Sequence, residues 1–424
     1  MTASSEVRDL VVVGAGAAGL MAAIAAGESG LAGTLVVERS RDGGRKILIS
    51  GGGRCNVLPS SLTPDQYVTA SSPHSLRKLL LSWPLEEQKA YFESTLGIPL
   101  ALEAETGKLF PVSSRAREVR DALVERARSL GAHFHFERSV EGVEPHPDGD
   151  GWVLTTRPGR PIRARAVVLT TGGLSVPATG SDGTGLRLVE ALGHTVHDLY
   201  PALTPLTSED VPHSELAGVS LDVTLTAPAV RGAPESRGGF LFTHRGYSGP
   251  TVLNLSHLAV RSAGEGRSEA LHVRWTHEDS ATWDERLAEA GQVEGASVPV
   301  RALLRRALPQ RLADRLLVES GVDAATPLSR LRREDRGVLA ELLGAYPLPW
   351  TGDEGYRKAE VTGGGVSLAE IHPATLESRL RPGLFLAGEM LDAFGPIGGY
   401  NFAWAWATGR SAGRGAARRL ASPG

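Results

Sequence analysis

The chain has 424 residues, enough for two or three domains whose cores need no covalent staple. Its 45 basic and 48 acidic residues leave a net charge of −3, which gives no global electrostatic sign of a nucleic-acid binder. The single cysteine, Cys55, excludes an intrachain disulfide framework and points to a reducing compartment, so a cytoplasmic location is expected. Lysine occurs only at 46, 78, 89, 108 and 358, an arginine excess that reads as base composition rather than recognition. No run approaches the roughly 20 apolar residues of a bilayer span, so no membrane association is expected. Asp9 and the glycines at 14, 16 and 19 keep Leu10–Ala26 from reading as a signal segment.

Residues 8–38 read as strand, glycine turn, helix and strand: Leu10–Val13 is apolar, Ala17–Ala26 is helix-forming and Thr34–Val37 is apolar again. Helical spacing follows over 74–97, broken at Pro84, and over Arg115–Leu130, closed by Gly131. Strand-like pieces at His133–Phe136, Gly151–Thr156 and Ala164–Thr170 predict a meander that returns to a parallel sheet. Short strands such as Leu221–Leu225 and Leu271–Trp275, punctuated by Pro and Gly, predict a β-rich insertion at 199–298. A helical, Arg-rich stretch at 299–354 carries Leu303, Leu304, Leu308, Leu312, Leu316 and Leu317 on one stripe, with arginines 301, 305, 306, 311 and 315 mostly elsewhere, as on a solvated amphipathic helix. The last part, 355–424, reads as glycine-rich loop and strand, then a helix from about Trp404 to Leu420. The predicted fold is α/β, with one Rossmann-type domain assembled from 1–198 and 355–424.

Gly14-Ala-Gly16-Ala17-Ala18-Gly19 fits G-x-G-x-x-G in its proper context, after an apolar strand, opening a helix, with Glu38 nineteen positions beyond Gly19 at the end of the second strand. The first glycine permits a tight turn, the second lets backbone approach a pyrophosphate and the third allows close helix packing. Glu38 is placed to bind an adenosine ribose, which favours FAD or NAD over NADP. The strand ending in Thr171-Gly172-Gly173 and the late Gly383-Leu-Phe-Leu-Ala-Gly388-Glu389 resemble the further fingerprints of glutathione-reductase-like FAD domains, in which the terminal acid binds the ribityl chain. Three such signals in order select FAD. The run Lys46-Ile-Leu-Ile-Ser-Gly51-Gly52-Gly53-Arg54-Cys55-Asn56 offers backbone N–H groups and a cation that can cradle anionic oxygens; the plainer reading is a flexible loop.

Together, Ser-Gly-Gly-Gly-Arg-Cys-Asn at 50–56, Gly-Gly-Leu-Ser-Val-Pro-Ala-Thr-Gly-Ser at 172–181, Phe-Thr-His-Arg-Gly-Tyr-Ser-Gly-Pro at 242–250, Val-Thr-Gly-Gly-Gly-Val at 361–366 and Gly-Gly-Tyr-Asn at 398–401 resemble the bacterial HI0933-like flavoprotein family, which includes the BaiN-like NAD(P)/FAD-dependent oxidoreductases. The resemblance spans nearly the whole chain. It implies a split FAD domain interrupted by a β-barrel-like domain and a helical subdomain. It adds Arg39, Gly44, Arg45, Val140, Asp392, Gly398, Gly399, Tyr400 and Asn401 to the expected cofactor-binding residues. The sequence departs from the family pattern at Val57-Leu58-Pro59 and at Phe402-Ala403.

No second G-x-G-x-x-G follows a strand, so NAD(P)H is expected to dock transiently, unless another protein supplies the electrons. Two residues are candidate catalysts. Cys55 reads as a proton donor whose thiol Arg54 lowers, or as a small buried packing residue. His244 reads as an acid, a substrate ligand or an inter-domain hydrogen bonder. No His or Cys cluster predicts a metal. The expected function is an FAD-dependent oxidoreductase reducing an activated C=C or C=O of a small molecule. The alternatives are a flavin-dependent uridine reductase acting on rRNA, gripped by the Arg-rich insert, and a non-catalytic flavin-binding scaffold.

Overall fold

The computed structural model describes residues 7–149, 151–209, 213–293 and 297–422. Two compact units emerge: one joins the chain up to Pro201 with the segment from Glu360 onward, and the other is Ala202–Ala359.

The first unit begins with the βαβ element β1 (Val7–Val13), α1 (Ala17–Glu28) and β2 (Leu35–Val37). There follow α2 (Arg45–Ile49), β3 (Leu58–Pro59), α3 (Pro73–Leu80), α4 (Leu85–Ala90), β4 (Leu100–Glu103), β5 (Lys108–Pro111) and α5 (Ala116–Ser129). Next come β6 (His133–His135), β7 (Ser139–Pro145), β8 (Trp152–Arg157), β9 (Ile162–Leu169), α6 (Thr184–Ala191) and β10 (Val196–Ala202). In the second unit lie β11 (Leu206–Thr207), β12 (Ser220–Thr226), β13 (Ser236–Thr243), β14 (Gly246–Ser248), α7 (Pro250–Gly264), β15 (His272–Arg274) and α8 (Ser280–Val293). It continues with α9 (Val300–Ala307), α10 (Gln310–Ser320), α11 (Arg333–Gly344), β16 (Tyr346–Pro347) and β17 (Gly352–Asp353). The chain then returns to the first unit through β18 (Val361–Val366), β19 (Leu384–Leu386) and α12 (Tyr400–Ala421).

The main sheet runs β6-β2-β1-β9-β8-β7, with β19 also on β9. β1 is parallel to β2 and β9, and β19 is parallel to β9, whereas β8 turns back antiparallel. Leu10, Val11 and Val12 are wholly buried, as expected of a parallel strand covered on both faces. Helix α12 lies against α1 through glycines: a Cβ at Gly409 or Gly413 would sit 2.3 or 2.1 Å from the carbonyls of Ala18 or Ala22. This small-residue contact locks the last helix of the chain onto the helix that follows the glycine turn.

The second unit is a seven-stranded antiparallel sheet, β16-β15-β12-β13-β14-β11-β17, and its strands share one core with leucines of α9 and α10. The stretch expected to be mainly strand also contains α7 and α8. Gly249 at φ +95° and Pro250 at the first helical position start α7, and Val252, Leu255 and Ala259 recur on its buried face. Pro and Gly here punctuate a helix start, not a strand. Several arginines of the helical part are matched to acids of the same unit: Arg305 grips Asp314 (2.9 and 2.7 Å), Arg332 grips Asp335 (2.8 and 3.0 Å), and Arg336 grips Asp284 (2.7 and 3.2 Å). Among the described residues no helix is long and apolar enough to cross a membrane.

Candidate functional site

The glycine turn is built from both ends. Gly14 adopts φ +99° and its N–H donates to the Val37 carbonyl (2.8 Å), which ties the turn to β2. A Cβ at Gly19 would lie 1.9 Å from the Gly14 carbonyl, so only glycine lets α1 start this close to β1. Gly16 differs: nothing lies within 4 Å of where its Cβ would be. No side chain caps the N-terminus of α1, so the amides of Ala17 and Ala18 face this open space with the positive end of the helix dipole.

Glu38, at the end of β2, folds back to this turn. Its Oε2 accepts from Ala15 N (2.8 Å), and its Oε1 accepts from Ser40 N (2.8 Å) and Ser40 Oγ (2.7 Å). One lone-pair direction of Oε2 remains for a ribose hydroxyl. Arg39 turns away from this carboxylate and forms an ion pair with Asp182 and a hydrogen bond to the Gly180 carbonyl (3.3 Å). Gly44, at φ +72°, donates its N–H to the Ala15 carbonyl (2.8 Å), and Arg45 lies 3.8 Å from Asp42.

Fingerprints far apart in sequence meet at Glu389. Lys46 Nζ donates to its Oε2 (2.6 Å) and to Ser175 Oγ (2.7 Å), while its Oε1 accepts from Ser175 Oγ and from Thr362 N (3.1 Å), with Thr362 Oγ1 also 3.1 Å away. Gly173 makes the meeting possible, since a Cβ there would strike Thr362 Oγ1 at 2.3 Å. Ser175 and Thr362 escaped assignment from the sequence, although both lie inside segments that carry the family resemblance. Thr171 Oγ1 and Asn56 Oδ1 are buried and have no hydrogen-bond partner.

The loop 50–56 carries three consecutive glycines at positive φ, with Cys55 at φ +62°. Arg54 does not face the thiol: its guanidinium stacks 4.0 Å over the Phe110 ring and pairs with Glu103 (3.0 Å). Cys55 is wholly buried, and burial pushes its thiol up to about 12 against a smaller lowering by the Ser50 hydrogen bond. The expected lowering by Arg54 is therefore corrected: desolvation wins, and the packing alternative fits this site. Cys55→Ala is expected to keep the flavin and turnover. The native thiol should resist alkylation at pH 8 until the protein is unfolded. Fast labelling of the native protein, or a hundredfold fall in turnover of the variant, would restore the acid role.

Beyond Glu389, Gly388 (φ +80°) brings its backbone against Ala18 of α1. Asp392 is buried, and its Oδ2 accepts from Ala70 N (3.0 Å), Ser71 N (2.8 Å), Ser71 Oγ (2.7 Å) and Thr69 Oγ1 (2.9 Å), which pins a neighbouring loop. Gly398 and Gly399, both at positive φ, lead into α12, and a Cβ at Gly399 would lie 2.5 Å from the Leu58 backbone. Asn401 braces this turn through both the N–H and the carbonyl of Gly395 (2.9 Å each). Tyr400 accepts at its carbonyl from Tyr67 OH (2.7 Å). Val140 is buried in β7 opposite Thr156, two residues beyond Arg138, whose N–H donates to the Glu38 carbonyl (3.0 Å). His244 belongs to the other unit, exposed in the turn between β13 and β14.

One arrangement imitates hydrolase chemistry. Ser378 Oγ lies 2.9 Å from His194 Nε2, and His194 Nδ1 lies 2.9 Å from Glu370. The His194 side chain is 0% exposed, Ser378 Oγ also accepts two backbone N–H groups, and burial holds the imidazole below its ordinary pKa. No substrate reaches such a serine; the trio is a buried hydrogen-bonded staple in which the imidazole bridges Ser378 and the Glu370 carboxylate, itself held, against desolvation, below the usual carboxylate range by its hydrogen bonds from Thr195 and His194.

The groups gathered around the glycine turn fit an FAD: an open uncapped helix start, a carboxylate with a free acceptor direction, and orphaned buried polar atoms. Comparison with known proteins agrees. The family model described as the HI0933-like protein Rossmann domain matches residues 8–415. A 3-dehydro-bile acid delta(4,6)-reductase from Clostridium scindens is 32% identical over 96% of this chain and 98% of its own. A ribosomal RNA dihydrouridine synthase from Escherichia coli is 33% identical over 94% of this chain and 96% of its own. Among solved structures, a 3-ketosteroid delta1-dehydrogenase from Sterolibacterium denitrificans superposes with a TM-score of 0.53 at 15% identity, covering 97% of this chain and 100% of that one. A flavocytochrome c3 fumarate reductase gives 0.51 at 18% identity, covering 99% and 80%; at such identities the likeness concerns the fold. With a model match over nearly its full length, the chain belongs to the HI0933-like family of FAD-dependent oxidoreductases built on a Rossmann-type domain.

Proposed function

We propose that the protein is an FAD-dependent reductase that uses NAD(P)H to saturate an activated C=C, or reduce a C=O, of a small-molecule substrate. The observation that carries this reading is the full-length similarity to a delta(4,6)-reductase together with the Glu38 carboxylate at the glycine turn and the Lys46–Glu389 pair. Bound FAD supplies a two-electron carrier between donor and acceptor. The amides of Ala17 and Ala18 would hold the pyrophosphate, Glu38 would accept from the adenosine ribose, and Glu389, paired with Lys46, would take a ribityl hydroxyl. Buried Trp404 donates to the Gly388 carbonyl (3.1 Å) and so braces the backbone that presents Glu389. Burial keeps the Cys55 thiol protonated at neutral pH, which favours its packing role over that of a thiol that exchanges protons.

The dihydrouridine synthase relatives favour a second reading, reduction of uridine in RNA. The engagement of Arg305, Arg332 and Arg336 with acids of their own unit weighs against a phosphate grip by those residues. Identification of the co-purified flavin, followed by anaerobic reduction with NADH or NADPH, tests the primary reading. FAD bleached by one nicotinamide and reoxidised by a steroid enone is expected. Stoichiometric FMN, or FAD that no nicotinamide reduces, would refute it. Reoxidation by uridine-containing RNA, with affinity falling steeply with salt, would select the second reading.

A further inference from the structure

Lys108, unlike Lys46, takes part in none of the contacts described above. It sits at the start of β5, and the β4–β5 register sets Glu103 directly opposite it. A cross-strand Lys–Glu pair is the ordinary outcome of that placement. It does not form: Glu103 is taken by Arg54 (3.0 Å) and Thr106. The Lys108 ammonium makes no hydrogen bond or ion pair with any described residue. Glu103 and Glu360 are the acids that feel its charge from farther away.

The stem of Lys108 leads elsewhere. Its Cε lies 3.9 Å from where a Cβ of Gly398 would be. On its other side β5 pairs with β3, with Lys108 opposite Pro59, and the adjoining Leu58 backbone packs under Gly399. Gly399 is the N-cap of α12, a 22-residue helix with no acid in its first turn and no side-chain cap. Two residues before Leu58 is Asn56, 7% exposed, whose Oδ1 lacks a donor. The Lys108 ammonium, with no hydrogen-bond or ion-pair partner among the described residues, thus stands at the positive end of a long helix, and Asn56, with its unsatisfied acceptor, lies on the segment that leads into the Leu58 backbone beneath Gly399. The pyrimidine edge of a flavin offers the complementary pattern: an N3–H donor beside an N1–C2=O group that becomes negative when the ring takes up two electrons and one proton.

We propose that Lys108 is the positioning cation of the flavin, its ammonium beside Gly398 neutralising the charge that reduction places on the N1–C2=O edge and so raising the reduction potential. This rests on the FAD reading above. A cation at that edge stabilises the reduced flavin more than the oxidised one, because only the reduced ring is charged. The same preference extends to the sulfite adduct of the oxidised ring, whose added electron pair also places negative charge there.

The test uses FAD-loaded wild type and the variants Lys108→Met, Lys108→Gln and Lys108→Arg, read by midpoint potential and by sulfite titration of the flavin spectrum. Removal of the charge should weaken sulfite binding about tenfold and lower the potential by about 30 mV, the equivalent of a tenfold change for a two-electron couple. The Arg variant should stay close to wild type. Met and Gln variants that hold FAD with unchanged potential and sulfite affinity would overturn the proposal. Loss of FAD from both neutral variants, with retention by Arg, would also overturn it, since the charge would then serve binding of the oxidised cofactor. A wild type that binds no FAD would instead refute the FAD reading itself.

Discussion

Replacement of Glu38 by Ala is expected to strip the purified protein of most of its FAD. The carboxylate accepts three hydrogen bonds from the chain, from Ala15 N, Ser40 N and Ser40 Oγ, and the proposed ribose bond would be a fourth. Its removal deletes the ribose acceptor and frees the turn that presents Gly16 to the pyrophosphate. Hydrogen bonds to a charged group contribute about 1.5–3 kcal/mol each, so loss of the ribose bond and of the turn's brace should weaken FAD binding roughly a hundredfold. Glu38→Asp keeps the charge but shortens the reach, and should fall between the variant and wild type. Titration of the apoproteins with FAD, followed by flavin fluorescence, measures the series. Equal affinity in all three proteins would refute the assignment.

The order of effects in that series also shows how the sequence conveys the site. The turn at 14–19 and Glu38 belong to one βαβ unit, so spacing alone places them together, and Ala15 N bonded to Glu38 is the consequence. Lys46 and Glu389 are 343 positions apart, and each was legible only as a fragment of a separate motif. Ser175 meets Glu389 because β9 and β19 lie side by side, while Lys46 arrives from α2 and Thr362 from β18, a convergence that no local pattern specifies. Arg54 and Cys55 show the opposite failure. They are sequence neighbours, yet one reaches the surface at Glu103 and the other is sealed from water, so proximity along the chain misjudged the electrostatics. The same holds for Pro250, where composition indicated a turn and the apolar spacing beyond it formed a helix.

Gly16 and Gly19 share one motif but should fail differently when each is replaced by Ala. At Gly16 (φ −77°, ψ −171°) an added methyl meets no protein atom within 4 Å and the backbone is one that alanine adopts readily. Exchange of Gly for Ala at an N-cap and the reduced entropy of the unfolded chain oppose each other, so apoprotein stability should change by less than about 1 kcal/mol. The methyl does fill the space above the turn. Displacing a phosphate from two charge-assisted N–H bonds of about 1.5–3 kcal/mol each should weaken FAD binding by roughly a hundredfold or more. At Gly19 the methyl would lie 1.9 Å from the Gly14 carbonyl and 2.6 Å from Thr170 Oγ1, which itself bonds the Val13 carbonyl (2.9 Å). β1, α1 or β9 must shift, an overpacking that costs about 1–3 kcal/mol even before cofactor is added. Thermal unfolding of the apoproteins separates the two: Gly16→Ala should melt close to wild type, and Gly19→Ala lower by about 2–4 °C for each kcal/mol lost. A Gly16→Ala protein with wild-type FAD affinity would show that no phosphate lies over this turn. A Gly19→Ala apoprotein as stable as wild type would show that the contact between α1 and β1 yields without strain.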